Sequence, residues 1–222
     1  MMKTTKEPQL IISPSDVEKE LASLGISSDD LIEVGKRGLA ARNNATENDP
    51  PGTGGFYAYS GITRAFRELY LPKRWEKLTK HNLPFTINTE NKIAVVISSG
   101  DSNVGIEERA PRTKNPKGKQ YQSVIYDNQD FFGIEEKTQK LIFPDFQTLV
   151  LLYCCDNKKG EMRLELSSPI NMDTKGYVDE WYKRILLSPI PFDAEPTTKR
   201  KQTNLSFDNS QDFDIPVKRR NL

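Results

Sequence analysis

The chain has 222 residues, enough for one domain with tails or for two small domains. Its 32 basic and 31 acidic side chains leave a net charge of +1, which excludes a global attraction to nucleic acid or an anionic membrane and requires any such partner to be met by a local patch. No apolar run approaches the ~20 residues that span a bilayer, and Leu10, Ile11 and Ile12 are too few for a signal peptide. The chain therefore reads as a soluble, cytoplasmic protein with no membrane partner.

Polar residues crowd both ends. The core is expected in a single domain over 13–190, after a flexible start at 1–12 and before a disordered tail at 191–222. Ser15 and Glu18 have capping-box spacing, which predicts a helix over 15–24 that stops at Gly25. A second helix is predicted from Ser27 to about Arg42, with Leu31, Val34 and Leu39 as its apolar stripe. The Asn-, Asp-, Pro- and Gly-rich stretch 43–55 reads as a loop. A third helix is predicted over Tyr57–Tyr70, its rings read as core at helical spacing. Beyond Pro72 the period changes. Phe85–Ile87 and Ile93–Ser98 read as one β-hairpin, and Leu149–Cys155 with Met162–Leu166 as another. Arg163 and Glu165 alternate with Met162, Leu164 and Leu166, which predicts a wet face for that strand. Short strands are predicted at Val124–Tyr126 and Leu141–Phe143, and a last helix over Tyr177–Leu187 on the stripe Val178, Trp181, Ile185. The expected class is α+β: N-terminal helices, antiparallel hairpins forming a sheet, a closing C-terminal helix and a disordered tail.

Cys154 and Cys155 are adjacent, so on a strand they point to opposite faces. They read as two reduced core thiols, neither a disulfide nor a zinc site. His81, the only histidine, stands in a polar stretch and reads as a surface residue. Pro50-Pro51-Gly52-Thr53-Gly54-Gly55 resembles the opening of the phosphate-binding loop of AAA-type ATPases. That loop needs a Lys for the phosphates and a Ser or Thr for magnesium, and here Gly55 and Phe56 stand in those places. What remains is a glycine-rich turn into a helix N-terminus, which suits an anion.

Inside the domain, the stretch 100–120 lacks apolar periodicity. From Arg109 to Gln120 it carries Arg109, Arg112, Lys114, Lys117 and Lys119 and no acid. Loops of this length inside a domain are uncommon, and such a run of cations suits phosphates, each contact releasing a condensed counterion. In the tail, Asp212-Phe213-Asp214-Ile215-Pro216-Val217 resembles the acidic tip of bacterial single-stranded-DNA-binding proteins, which recruits partners, although here Lys218–Leu222 follow it.

The leading expectation is a non-catalytic binding protein that needs no cofactor. Its basic loop contacts nucleic-acid phosphates, and residues 197–222 recruit a protein partner. The alternative is a magnesium-dependent nuclease in which Asp101, following a strand, shares a metal with Glu107, Glu108 or Glu165. A third reading is a protein–protein adaptor that binds no nucleic acid. Catalytic residues are not legible in the sequence.

Overall fold

A computed structural model describes residues 8–80, 82–134, 143 and 145–197. His81, Leu141, Ile142 and the tail motifs beyond Thr197 lie outside the described residues.

Helix α1 (Pro14–Ser23) is capped two residues before the predicted cap, Ser15. Ser13 is its N-cap and accepts the Asp16 N–H at 3.2 Å, with Pro14 at the first helical position, where a missing N–H does no harm. Helix α2 (Ser28–Arg42) is capped by Ser27 as expected. Helix α3 (Thr53–Tyr70) begins four residues earlier than predicted, on Gly52 with φ of +92°, and buries Ala58, Ile62, Ala65, Phe66 and Tyr70. Phe66 and Tyr70 stack in the core, as their helical spacing predicted, and Trp75, beyond the helix, meets both rings edge-on. Helices α2 and α3 cross in close contact: a Cβ on Gly38 would stand 2.2 Å from Ile62, and one on Gly61 would stand 2.6 Å from Ala41. That crossing sets the C-terminal end of α2 beside the N-terminus of α3.

Among the described residues the sheet has eight strands: β1 (Gln9–Ile11), β2 (Glu76–Lys80), β3 (Leu83–Asn88), β4 (Ile93–Ser99), β5 (Gln147–Asp156), β6 (Glu161–Met172), β7 (Val178–Leu186) and β8 (Ile190–Pro191). Their order is β1-β7-β6-β5-β4-β3-β2, with β8 pairing the start of β6. Both predicted hairpins form, as β3/β4 and β5/β6. The sheet is mixed rather than purely antiparallel, because β4 runs parallel to β5 and β1 parallel to β7. Residues 9–11, expected to be flexible, form that parallel edge.

The β4–β5 crossover carries helix α4 (Lys119–Phe131). It contains Val124–Tyr126, predicted as a short strand. Tyr121, Val124, Ile125 and Asn128 stand at i, i+3, i+4 and i+7 and all are buried. The polar Asn128 hides the stripe from a reading of hydropathy. Its side chain donates to the Thr148 and Pro169 carbonyls and accepts the Thr148 N–H, each at 2.8 Å, so the buried amide is satisfied.

The predicted closing helix is the strand β7. Its pairing with β6 slips at Ser168, Pro169 and Asn171. Such bulges break the two-residue period of a strand, and so produce the spacing of Val178, Trp181 and Ile185 that mimics a helix. The three residues do not share a face: Val178 and Trp181 pack with α4, whereas Ile185 packs with α1–α3.

The sheet thus separates two cores. Ile93, Val95, Leu149, Leu151, Leu164 and Leu166 face α1–α3. Ala94, Val96, Val150 and Leu152 face α4 and the loop after β4. Among the described residues no helix is long and apolar enough to cross a membrane.

Candidate functional site

The basic loop is held along its length by the sheet. The predicted wet face of β6 is the clamp: Arg163 and Glu165 are buried beneath residues 101–106. Glu165, fully buried, accepts from Arg184 at 3.0 and 2.7 Å, from the Ser167 hydroxyl at 2.7 Å and from the Gly105 N–H at 2.8 Å. Arg184 also donates to the Ile106 carbonyl at 2.9 Å. Arg163 donates to the Val104 and Ser102 carbonyls, each at 2.8 Å, and to Asp156 at 3.0 Å and Glu161 at 2.9 Å. The Asp156 carboxyl is held below its usual range, chiefly by that Arg163 hydrogen bond. Alternating polarity in a strand reports two unlike faces, and here a loop with its own orphan carbonyls covers the polar one.

The rest of the loop follows the same rule. The Trp181 indole donates to the Pro111 carbonyl at 2.8 Å. Thr113 pairs with Gly100 as an isolated bridge, and its N–H donates to the Val178 carbonyl. The Lys114 N–H donates to the Ser99 carbonyl at 2.9 Å, and the Lys117 N–H to that of Gly176 at 2.7 Å. With the backbone fixed this way, Arg112, Lys114 and Lys117 line one cavity of about 910 Å³.

That cavity stands at the carboxyl ends of the parallel strands β4 and β5, the place where open sheets with helices on both faces bind ligands. Ser98, Ser99, Tyr153 and Cys154 form its floor. The opposite wall is Arg42 and the first turn of α3, with Gly52, Gly55, Phe56 and Tyr59. Arg42 is oriented by a 2.9 Å bond to Asn157 and lies over the Phe192 ring. The first N–H groups of α3 add their partial positive charge. Four cations and one carboxylate, Asp101, line the space among the described residues. Burial pulls the Lys117 pKa down. Burial likewise pushes the Cys154 and Cys155 thiols up, so these free, half-buried cysteines are poor nucleophiles.

The residues singled out in the sequence divide. Arg112, Lys114 and Lys117 converge on the cavity. Arg109 is exposed earlier in the loop and lies outside the lining, and Lys119 is the first residue of α4. Asp101 lies at the cavity, where its Oδ1 accepts the Asn103 N–H at 3.0 Å and the Arg112 N–H at 3.3 Å and so shapes the loop. Glu107 lines a separate groove beside α1, Glu108 is exposed, and Glu165 belongs to the ion pair. Among the described residues no group of three or more His, Cys, Asp and Glu side chains is placed to hold a metal ion.

Arg42 and Tyr153 carry no sequence signal for this site, and Phe56 and Tyr59, in an aromatic and basic stretch that could stack on a single strand but reads rather as core, are exposed and half-buried. They reach it because α2 crosses α3 and because β5 returns parallel to β4, and neither relation is local. The Gly52 turn enters α3 from a loop that follows α2 rather than from a strand, so the likeness to an ATPase phosphate loop stops at the glycines. No family model matches the chain, and neither a curated protein nor a solved structure does.

Proposed function

We propose that the chain binds nucleic acid, holds strand phosphates in the cationic cavity and carries out no chemistry of its own. The supporting observation is the convergence of Arg42, Arg112, Lys114 and Lys117, from opposite sides of the sheet, on one space at an α-helix N-terminus. Neighbouring clefts extend that space. One of about 510 Å³ shares Phe56 and Tyr59 and adds Arg64 and Lys77. Another, of about 430 Å³, shares Arg42, Gly52 and Gly55. A track of this kind suits a polymer better than a lone anion. Phe56, 65 % exposed at the rim, offers a ring on which a base can stack. The tail beyond Thr197, with its alternating acidic and apolar residues, would recruit a protein partner.

The test is anisotropy of labelled single-stranded and duplex DNA and RNA across a salt series. Binding should weaken as salt rises, with a slope of about −0.7 per phosphate contact on single strands. The triple variant Arg112→Glu, Lys114→Glu, Lys117→Glu should lose that binding while keeping its thermal transition. Undiminished binding by the folded triple variant would refute the reading. Removing residues 198–222 should abolish capture of the protein partner and leave strand binding unchanged.

A further inference from the structure

A smaller cavity of about 370 Å³ opens beside the cationic one and shares Tyr59, Ile97 and Lys117 with it. Its other walls include the apolar side chains of Pro84, Val96 and Pro116. Tyr121 of α4 also lines it. This tyrosine is 3 % exposed, and its hydroxyl has no hydrogen-bond partner among the described residues. Buried hydroxyls in native proteins are paired, so an orphan at a cavity marks a place where something else completes the bond. Burial raises the Tyr121 pKa, so the phenol keeps its proton and remains able to donate. The Lys117 ammonium lies 5.6 Å from the centre of the Tyr121 ring and is a second donor. The cavity therefore has mixed walls, apolar side chains beside Asn82 and Lys117, with two tyrosines in its lining and a cationic chamber next door.

Resting on the phosphate reading of that chamber, we propose that the side cavity receives the nucleobase of the nucleotide whose phosphate the cations hold. A nucleobase is planar and apolar on its faces, carries acceptors on its edge and lies one sugar from a phosphate. The two spaces adjoin through Lys117, Tyr59 and Ile97, which line both. The unit is a nucleoside phosphate, supplied either as a free nucleotide or as one residue of a strand.

The experiment is calorimetry on the full chain with inorganic phosphate, ribose 5-phosphate and the four nucleoside monophosphates, followed by competition of each against a labelled single strand. At least one nucleoside monophosphate should bind roughly tenfold or more tighter than ribose 5-phosphate. Tyr121→Phe should reduce that advantage roughly five- to tenfold, the effect of one hydrogen bond in a dry site. Its Tm should hold or rise, because the hydroxyl removed has no protein partner, and the salt slope should not change. Tyr121→Trp, which fills the space, should remove the preference altogether. Displacement of the strand by that nucleotide, with weaker binding of a strand carrying an abasic position, identifies the strand as the source. Nucleotide binding that leaves the strand in place identifies the free nucleotide. If monophosphates bind no better than ribose 5-phosphate while strand binding remains charge-dependent, the base site is wrong and the phosphate reading survives. If nothing phosphorylated binds, both are wrong.

Discussion

Arg163 and Arg184 direct their guanidinium groups at backbone carbonyls, and that use of charge is where residue-level reading is weakest. On a hydropathy scale they and Glu165 are solvent-seeking. In the fold they are buried because the loop after β4 has carbonyls that nothing else satisfies. Burying both ions of a pair is weakly stabilising at best, whereas removing one partner strands the other. Glu165→Leu should therefore lower unfolding stability by about 3–5 kcal/mol in urea titrations. The double variant Glu165→Leu, Arg184→Met should recover most of that loss, and a single variant as stable as the parent would show that the pair does not hold the loop. Asp156 allows a test in pH. Its folded pKa lies below its unfolded value, so the stabilisation it contributes is full above the usual carboxylate range and is lost as pH falls through the folded value. The Tm difference between the parent and Asp156→Asn, clear at neutral pH, should close in strong acid. Of the residues proposed for the site from sequence, three converge on it, because a dense run of cations in a loop is a local signal. Arg42 was not legible, since it is one more residue on an amphipathic helix until the chain is folded.

At the scale of elements, local signals carried furthest where period and capping agree. Both hairpins and the first three helices appear close to their expected bounds. Helix α4 and strand β7 were misread for opposite reasons. A buried asparagine interrupts the apolar stripe of α4, and bulges give β7 a helical spacing. The α2–α3 crossing is an element-scale feature that the site depends on. Gly61→Leu should force the helices apart, since its Cβ alone would meet Ala41 at 2.6 Å and the Arg37 carbonyl at 3.2 Å. Overpacking of this kind costs about 1–3 kcal/mol. The variant should also weaken strand binding by moving Arg42 relative to α3, read as a loss of anisotropy amplitude in protein that still melts cooperatively. Unchanged affinity would mean that Arg42 does not touch the ligand.

For the whole molecule, the parallel relations β4/β5 and β1/β7 were beyond reach, because strand order depends on long-range pairing that no local spacing records. Strand β1 covers one edge of the sheet, and an exposed edge invites pairing with another chain. Removing residues 1–12 should lower the Tm and raise the apparent mass in light scattering with increasing protein concentration. A variant that stays monomeric with an unchanged Tm would show that β7 needs no cover.

The position of the cavity has one more consequence. Arg42 and α3 belong to the layer on one face of the sheet, and Arg112, Lys114 and Lys117 to the layer on the other. A polyanion seated between them ties the two layers to each other as well as to itself. By mass action, a strand at a hundred times its Kd stabilises the fold by about 2.7 kcal/mol. Amide exchange should then slow on both sides of the sheet together, so that the ligand acts as a rivet through the molecule.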